Sequence, residues 1–471
     1  MFYRPDKKSV CADVIPFYKD NEFKLFYLKD YRDLENVGEG CDWNLVTTKD
    51  LVHFVEHGTV LPRGNINEQD LYVYTGSIIE KDGLFFIFYT GHNPHFIDEG
   101  KPVQCILLAT SKDLIHWEKQ KDFVYKPDAL YLEQNDFRDP FVFKDEENGE
   151  YVMILTSRLK NNDPIENRGL LLKATSKDLI NWTMDEEPFY APHAYYAHEC
   201  PDIFKIGDWY YMIFSEFCDR YVTTYRMAKS LKGPWINPKN NTFDGHCFYA
   251  AKSVSDGNRR ILFGWNPIRN NEDDNEFWQW GGSIIPHEIY QNEDFTLSVR
   301  CPKEIKESFN HKRGFTLKPL NSCCKVNNNT IIFDNENRNI VKLGEVFERT
   351  KIEFDVSITK KTGDFGVYIY EEDNYNKYYK LRFDLEYDRM IMDVWPRIDR
   401  TIHGHIEVER QCTLKENEKN HVMILLEGSI LEVYVNDKVA MSTRLFKTKG
   451  EISFYSQGTI CELENIDVYE G

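Results

Sequence analysis

An internal repeat constrains the fold of this chain more than any other feature of the sequence. Residues 47–54 read TTKDLVHF, residues 110–117 read TSKDLIHW and residues 175–182 read TSKDLINW. The three copies begin 63 and 65 residues apart, and a weaker copy, KSLKGPW, occupies residues 229–235. A period of this length fits a supersecondary unit of several strands, so the chain is predicted to repeat one such unit.

Strand-like runs rich in aromatic and β-branched residues accompany the repeat. They are KLFYL from Lys24, LFFIFYTG from Leu84, YVMILTSR from Tyr151, WYYMIFSE from Trp209 and RILFGWN from Arg260. No long stretch has the 3.6-residue periodicity of a helix. Units that cannot bury both faces alone can close radially into a propeller. The sequence therefore predicts an all-β protein with a five-bladed β-propeller, in which the repeated T-S-K-D-L-x-x-W element is a scaffold turn.

A second pattern begins near residue 306, where the repeat ends. Apolar residues then alternate with polar ones, as at Ile352, Phe354 and Val356, which is the pattern of half-buried strands. We predict a propeller catalytic domain over residues 1–305 and a β-sandwich over residues 306–471. The sandwich is expected to cover a flank of the propeller, and the protein is expected to be a monomer or a homodimer.

Composition narrows the classes of function. The 471 residues carry a net charge of −19, which disfavours binding to nucleic acids or anionic membranes. The first residues lack the apolar stretch of a secretory signal, and no run is long and apolar enough to span a membrane. The 11 cysteines are an odd number and thinly spread, so a cytoplasmic location is expected. No CxxC or HExxH spacing occurs, so neither a metal nor a cofactor is predicted.

Three carboxylic acids stand shortly before strand-like runs of different units, namely Asp13, Asp139 and Glu199. Residues at this place in each blade would line the centre of a propeller, where side chains from several blades meet. Glycoside cleavage needs one carboxylic acid to protonate the leaving oxygen and one carboxylate to attack carbon or activate water. Aspartate is also common in turns, so the spacing alone leaves a structural role open.

Seven segments, in order along the chain, match motifs of one enzyme family. Phe137-Arg138-Asp139-Pro140 is similar to an RDP motif, and His198-Glu199-Cys200 is similar to an EC motif. The other matches are WNLVTTKDLVHF from Trp43, YTGS from Tyr74, GHCFYAAKS from Gly245, RRILFGWN from Arg259 and GGSIIPHEI from Gly281. Together they resemble glycoside hydrolase family 32, the family of invertases, fructanases and sucrose-6-phosphate hydrolases.

The resemblance implies a five-bladed propeller with a C-terminal sandwich that cleaves a fructofuranosyl linkage in small oligosaccharides. It implies a retaining mechanism, in which two carboxyls lie roughly 5 to 5.5 Å apart. Asp13 would be the nucleophile and Glu199 the general acid/base. Asp139 would hold sugar hydroxyls, and Arg138 would pair with a carboxylate.

Departures from the family pattern concern the binding of the sugar ring. The family's WMNDPNG motif is represented by VCADVIP at residues 10–16, which has Asp13 but neither asparagine, and Leu28 stands where the family has a ring-binding glutamine. Candidate replacements are Lys29, Asp30, Asp42 and Asn44. Trp43 and Tyr74 are candidates for stacking on a sugar face or, equally, for the core.

Two alternatives remain open at this point. An arabinofuranosidase-like propeller would use the same three carboxyls with direct attack of water and inversion of the anomeric centre. A non-catalytic sugar-binding propeller would keep the cavity without turnover.

Overall fold

The computed structural model describes residues 1–127, 131–160, 163–321, 324–372, 377–394 and 406–471. Within these ranges the chain is built almost wholly of β-strands. The helical segments are single turns, namely α1 (Leu34–Val37), α2 (Lys303–Glu307) and 3₁₀ turns at Pro94–Ile97, Ile165–Asn167 and Asn270–Glu272. No helix in the described ranges is long and apolar enough to cross a lipid bilayer. The predicted all-β class is confirmed.

Five consecutive groups of antiparallel strands make up the first part of the chain. Group one is β1 (Ser9–Lys19), β2 (Glu22–Tyr31), β3 (Asp42–Thr48) and β4 (Val55–Leu61). Group two is β5 (Tyr72–Lys81), β6 (Leu84–His92), β7 (Gln104–Ser111) and β8 (Glu118–Tyr125), and group three is β9 (Leu132–Asp145), β10 (Glu150–Leu159), β11 (Gly169–Ser176) and β12 (Thr183–Met184). Group four is β13 (Ala197–Ile206), β14 (Trp209–Phe217) and β15 (Val222–Ala228), and group five is β16 (Tyr249–Ser255), β17 (Arg260–Arg269), β18 (Trp278–Gln291) and β19 (Leu297–Arg300).

The first strands of these groups lie side by side in cyclic order. β5 contacts β1 and β9, β13 contacts β9 and β16, and β16 contacts β1. Groups one and five also join into one eight-stranded sheet, because β1 pairs with β18 at Cys11 and Gly282. Residues near the start of each group therefore come together at the centre of the first part of the chain.

The repeated sequence element forms a tight turn after the third strand of the first three groups. In the second copy, Ser111 Oγ accepts a hydrogen bond from the backbone N of Leu114 at 3.0 Å, and Asp113 Oδ1 accepts one from the backbone N of His116 at 2.8 Å. The Leu114 side chain is buried, and Trp117 packs edge-on against Phe26 of group one. The interpretation of this element as scaffold is confirmed, since its polar residues bond their own turn and its apolar residues fill the space between groups.

Two further sheets form the second part of the chain. One contains β20 (His311–Lys312), β22 (Lys325–Asn327), β23 (Thr330–Phe333), β25 (Arg349–Lys360), β30 (Lys419–Glu427), β31 (Ile430–Val435), β32 (Val439–Arg444) and β34 (Ile460–Glu470). The other contains β21 (Lys318–Pro319), β24 (Asn339–Glu345), β26 (Asp364–Glu372), β27 (Lys377–Asp384), β28 (Arg389–Asp393), β29 (Ile406–Gln411) and β33 (Glu451–Gln457). Alternate apolar side chains of both sheets share one core, with Phe354 and Phe454 in edge-to-face contact at 5.4 Å. This packing is that of a β-sandwich.

The outer face of the first sandwich sheet packs against the strands of group five. Met423, Leu425 and Tyr434 belong to the same apolar cluster as Phe263 and Ile285. The contact buries large side chains from both parts, so the sandwich supports the flank of the cyclic arrangement, away from its centre.

Candidate active site

A β-bulge interrupts the first strand of each group at nearly the same place. The strand register shifts between Ala12 and Ile15, between Tyr74 and Gly76, between Glu199 and Asp202, and between Tyr249 and Lys252. In group three the shift lies in β9, opposite residues 154–156 of β10. Four of these bulges contain a non-glycine residue with positive φ: Asp13 (35°), Asp139 (57°), Cys200 (52°) and Ala250 (51°). Bulges redirect side chains and store backbone strain, and both features concentrate at functional sites.

The bulges surround a cavity of about 380 Å³. Its lining residues are Asp13, Tyr74, Gln104, Asp136, Arg138, Asp139, Glu199, Cys200, Tyr249 and Trp280. The three carboxyls that the sequence singled out therefore reach one cavity from three different strand groups, together with Arg138 and Tyr74.

Asp13 interacts with the other charged residues of the cavity. Its Oδ1 accepts a hydrogen bond from Trp265 Nε1 at 3.2 Å. Burial, together with the nearby charges of Asp139 and Glu199, raises the pKa of Asp13 to about 7. Attraction to the buried Lys252 opposes this shift only in part. Asp13 is thus a carboxyl whose charge is costly in the free protein.

Asp139 is held through both its backbone and its side chain. Its backbone N donates to Thr90 Oγ1 at 2.8 Å, and its Oδ2 accepts from the backbone N of Cys200 at 2.9 Å. Arg138 Nε lies 3.7 Å from the same oxygen. Cys200 thus contributes its amide rather than its buried thiol, whose pKa burial holds well above the usual range. The carboxylate is fixed in position before any ligand binds.

Glu199 makes one contact with each of its carboxyl oxygens. Oε1 accepts a hydrogen bond from Arg138 Nη2 at 2.9 Å, and Oε2 accepts one from the Tyr249 hydroxyl at 2.8 Å. Burial raises the pKa of Glu199, and the charge of Asp139 raises it further, although Arg138 acts in the opposite direction. A carboxyl in this environment keeps its proton to a higher pH than an ordinary glutamate does.

Aromatic side chains form the walls of the cavity. Tyr221 stacks on Tyr249 with ring centroids 3.8 Å apart, and Tyr74 stacks on His92 at 4.8 Å. Trp280 lies edge-on to Tyr74 at 6.4 Å. Of the two aromatic residues that the sequence offered for sugar stacking, Tyr74 lines the cavity.

Trp43, Asn44 and Asp42, which the sequence offered for substrate binding, do not line the described cavity. Trp43 is fully buried and donates from its indole N to the backbone O of Tyr74 at 3.1 Å. Asn44 is 3% exposed. Asp42 accepts hydrogen bonds from the backbone N of Arg63 and from a tyrosine hydroxyl. All three belong to β3, and none of them is among the described residues that line the cavity.

The other residues offered as replacements also point elsewhere. Lys29 forms an ion pair with Asp6 at 3.4 Å, and Asp30 forms one with Arg32 at 2.6 Å. Leu28 is fully buried among apolar residues. The residues near the end of β2 therefore contribute no described contact to the cavity.

Five residues of the cavity were not assigned to the site from the sequence: Gln104, Asp136, Cys200, Tyr249 and Trp280. Asp136 stands two residues before Arg138 and bonds its Nη1 at 2.6 Å. Tyr249 lies within a segment that matches a family motif, and Trp280 directly precedes another. Proximity to these motifs could have identified both as cavity residues. Gln104 begins the third strand of its group, and no motif marks it.

A second buried polar cluster lies between the two parts of the chain. Asp244, His287 and Glu432 place potential metal-ligand atoms within 4.8 Å of one another. His287 Nε2 already bonds Asp244 at 2.9 Å, and its Nδ1 bonds the Tyr434 hydroxyl at 2.8 Å. Ser442 Oγ bridges Asp244 and Glu432 at 2.6 and 2.9 Å. We interpret the cluster as a polar contact between propeller strands and sandwich.

Comparison with known proteins identifies the family. Residues 13–299 match the model of the glycosyl hydrolases family 32 N-terminal domain, and residues 321–470 match that of the family 32 C-terminal domain. A sucrose-6-phosphate hydrolase from Escherichia coli is 24% identical, over 90% of this chain and 84% of its own length. A raffinose invertase from the same species is 26% identical, over 86% of this chain and 80% of its own length.

Solved structures agree on the fold. Fructan 1-exohydrolase IIa from Cichorium intybus superposes with a TM-score of 0.75 at 16% identity, covering 100% of this chain and 96% of that chain. A sucrose-6-phosphate hydrolase from Lactobacillus gasseri superposes with a TM-score of 0.72 at 16% identity, covering 98% and 91%. The two family models together cover most of the sequence, and the chain therefore belongs to glycoside hydrolase family 32.

Proposed function

We propose that this glycosidase is a β-fructofuranosidase that cleaves a fructofuranosyl linkage in small oligosaccharides with retention of configuration. Family membership supports the class of reaction. The observation that carries the proposal is the meeting of Asp13, Asp139 and Glu199 in one cavity, with Arg138 against two of them. Relatives named as sucrose-6-phosphate hydrolases and invertases support a sucrose-type substrate.

In the proposed mechanism, the Asp13 carboxylate attacks the anomeric carbon and forms a covalent glycosyl-enzyme. Glu199, protonated at the outset, donates its proton to the leaving glycosidic oxygen. Glu199 then accepts a proton from water, which attacks the anomeric carbon and releases the sugar with Asp13 as a carboxylate. The raised pKa of Glu199 supports its role as the acid, and its contacts with Arg138 and Tyr249 hold it in place.

Asp139 is proposed to bind sugar hydroxyls. Its Oδ2 is occupied by the backbone N of Cys200, whereas no described residue donates a hydrogen bond to its Oδ1. A fixed carboxylate oxygen can accept from hydroxyls whose acidity rises as positive charge develops on the ring. The positive charge of Arg138 reduces the repulsion between the carboxylates of Asp139 and Glu199.

We further propose that the five strand groups are the five blades of the propeller, with residues 1–305 as the catalytic domain and residues 306–471 as the sandwich. The cyclic contacts of the five first strands support this assignment. The change of sheet between β19 and β20 supports the boundary.

The charge in the cavity favours a neutral substrate over a phosphorylated one. Among the described lining residues, four are acidic (Asp13, Asp136, Asp139 and Glu199) and one is cationic. That cation, Arg138, already contacts Asp136 at 2.6 Å, Glu199 at 2.9 Å and Asp139 at 3.7 Å. A phosphate dianion would therefore meet excess negative charge.

We expect kcat/KM for sucrose to exceed that for sucrose 6-phosphate by about 10-fold or more, corresponding to about 1.4 kcal/mol of unfavourable interaction. The two substrates are compared under one buffer, and inorganic phosphate added to the sucrose assay serves as the control for ionic effects. A higher kcat/KM for the phosphorylated sugar would contradict this assignment.

The pH dependence of kcat/KM should be bell-shaped. Asp13 acts as a carboxylate, so activity falls as the pH drops below its pKa of about 7. Glu199 acts as a protonated acid, so activity falls as the pH rises through its raised pKa. Because the carboxyls interact, each limb belongs to the group as a whole. A kcat/KM that stays constant between about pH 5 and about pH 9 would argue against these roles.

A panel of substrates tests the proposal as a whole. We expect release of fructose from sucrose or from inulin- or levan-type oligosaccharides, and no release of arabinose from arabinofuranosides. Turnover of arabinofuranosides alone would favour the arabinofuranosidase-like alternative. Sugar binding in calorimetry without turnover of any substrate would favour a binding protein.

A further inference from the structure

Gln104 stands out among the cavity residues because one end of its side chain is bonded and the other is not. It is the first residue of β7, lines the cavity and is 7% exposed. Its Oε1 accepts a hydrogen bond from the backbone N of Phe137 at 3.0 Å. No described residue accepts a hydrogen bond from its Nε2. We propose that Gln104 is a specificity-determining residue whose Nε2 donates to a hydroxyl of the sugar substrate.

The backbone beside Gln104 is held firmly. Val103 O accepts a hydrogen bond from the backbone N of Asn93 at 2.9 Å and another from Gln69 Nε2 at 3.0 Å. Within β6 and β7, Gln104 itself is paired with His92. The backbone at Gln104 therefore has little conformational freedom to lose when substrate binds, so the donor is preorganised.

The bond to Phe137 also fixes the orientation of the amide. A side-chain amide is planar, so anchoring Oε1 turns the NH₂ group away from Phe137. Phe137 directly precedes Arg138 and Asp139, both of which line the cavity. The free donor is thus tied to the segment that is proposed to hold sugar hydroxyls.

A sugar hydroxyl is the ligand that fits this donor. The NH₂ group belongs to a residue that lines the cavity and has no described acceptor within the protein, and a hydroxyl oxygen of a bound sugar supplies a neutral acceptor. Leu28, at the position where the family has a ring-binding glutamine, is fully buried and apolar, so that position offers the sugar no hydrogen-bond donor. The inference rests on the proposed function, since the ligand is the substrate of that reaction.

The variant Gln104→Glu separates substrate binding from a structural role. It preserves an oxygen for the backbone N of Phe137 and replaces the NH₂ donor by a second oxygen. We expect KM for sucrose to rise about 3- to 10-fold, as for the loss of one hydrogen bond, with kcat changed less than KM. Because the new carboxylate adds to the acidic charge of the cavity, a second variant, Gln104→Met, removes the donor without adding charge and should show a similar rise in KM.

Gln291→Glu is the matched control. Gln291 Nε2 donates to the backbone O of Ile206 at 3.4 Å and to the Tyr211 hydroxyl at 2.6 Å, and Gln291 does not line the cavity, so this amide serves the fold. The same chemical change at Gln291 should lower the melting temperature and leave KM for sucrose unchanged. A rise in KM at Gln104 without one at Gln291 is the expected result.

Two outcomes would overturn the inference. One is a Gln104→Glu variant with wild-type KM, which would reduce Gln104 to an anchor for Phe137. The other is equal sucrose affinity of Asp13→Asn and Asp13→Asn/Gln104→Glu in calorimetry. A protein that binds sucrose without cleaving it would contradict the proposed function. Gln104 could still be tested in that case, because calorimetry measures its effect on Kd without turnover.

Discussion

Replacing Asp13 by asparagine is expected to lower kcat for sucrose by at least about 10⁴-fold, because the substitution removes the attacking carboxylate. Asparagine has nearly the same shape and keeps an oxygen for the hydrogen bond from Trp265 Nε1. Sucrose binding should therefore survive the loss of turnover. The comparison requires kcat from steady-state kinetics and Kd from calorimetry.

The same substitution should make the folded protein more stable at neutral and alkaline pH. The pKa of Asp13 is raised from 3.8 to about 7 in the fold, so the folded state binds this proton more tightly than the unfolded state does. The associated stability is present below pH 3.8 and is lost as the pH rises through about 7. Asp13→Asn has no proton to lose, so its melting temperature should exceed that of the wild type at about pH 8 and approach it at about pH 4.

Asp20→Asn is the matched control for Asp13. Asp20 is exposed in the turn of the same hairpin, at a φ of 55°, and asparagine accepts this conformation as readily as aspartate does. Its kinetics should be those of the wild type. Near-normal turnover in Asp13→Asn would refute the assignment of the nucleophile.

Replacing Glu199 by glutamine should lower kcat for sucrose by about 10²- to 10⁴-fold, the usual contribution of a general acid/base. The first step suffers most, because the leaving sugar departs as an alkoxide without a proton donor. An aryl fructofuranoside, whose phenolate leaves unaided, should lose much less of its rate in the first step. Pre-steady-state release of the phenol measures that step directly.

Glu187→Gln is a suitable control, since Glu187 is an exposed glutamate outside the cavity. It should behave like the wild type with both substrates. Equal losses for sucrose and the aryl substrate in Glu199→Gln would contradict a proton-donating role and would point to a positional one.

Local sequence patterns predicted much of the fold. The turn at Ser111 and Asp113 depends on side-chain bonds to its own backbone, so it is readable from a few adjacent residues. The alternation at Ile352, Phe354 and Val356 places every second side chain in the sandwich core. Such features depend on adjacent residues or on apolar residues at every second position, and both patterns are visible in the sequence.

The cavity was only partly predictable. Asp139 and Glu199 were found because motifs mark them and because both precede strand-like runs, and in the structure both lie in bulges of first strands. Trp43 also belongs to a motif, yet it lies on a third strand and is fully buried. The order of strands across a group, and which of them faces the centre, is a property of the assembled sheet rather than of any segment.

Gln104 and Trp280 line the cavity, but the sequence did not identify them as site residues. Gln104 enters the cavity because β7 begins beside the segment around Phe137, 33 residues away in sequence. Trp280 approaches Tyr74 from β18, through the closure of group five onto group one. These contacts depend on packing between groups, for which a single sequence contains no direct signal.

The configuration of the first-formed sugar tests the central claim most directly. Proton NMR during the first minutes of sucrose cleavage, before mutarotation, identifies the anomer of fructose that leaves the enzyme. Attack by Asp13 followed by attack of water inverts the anomeric carbon twice, so β-fructofuranose should appear first. Initial release of the α anomer would mean direct attack by water and would contradict the covalent role of Asp13.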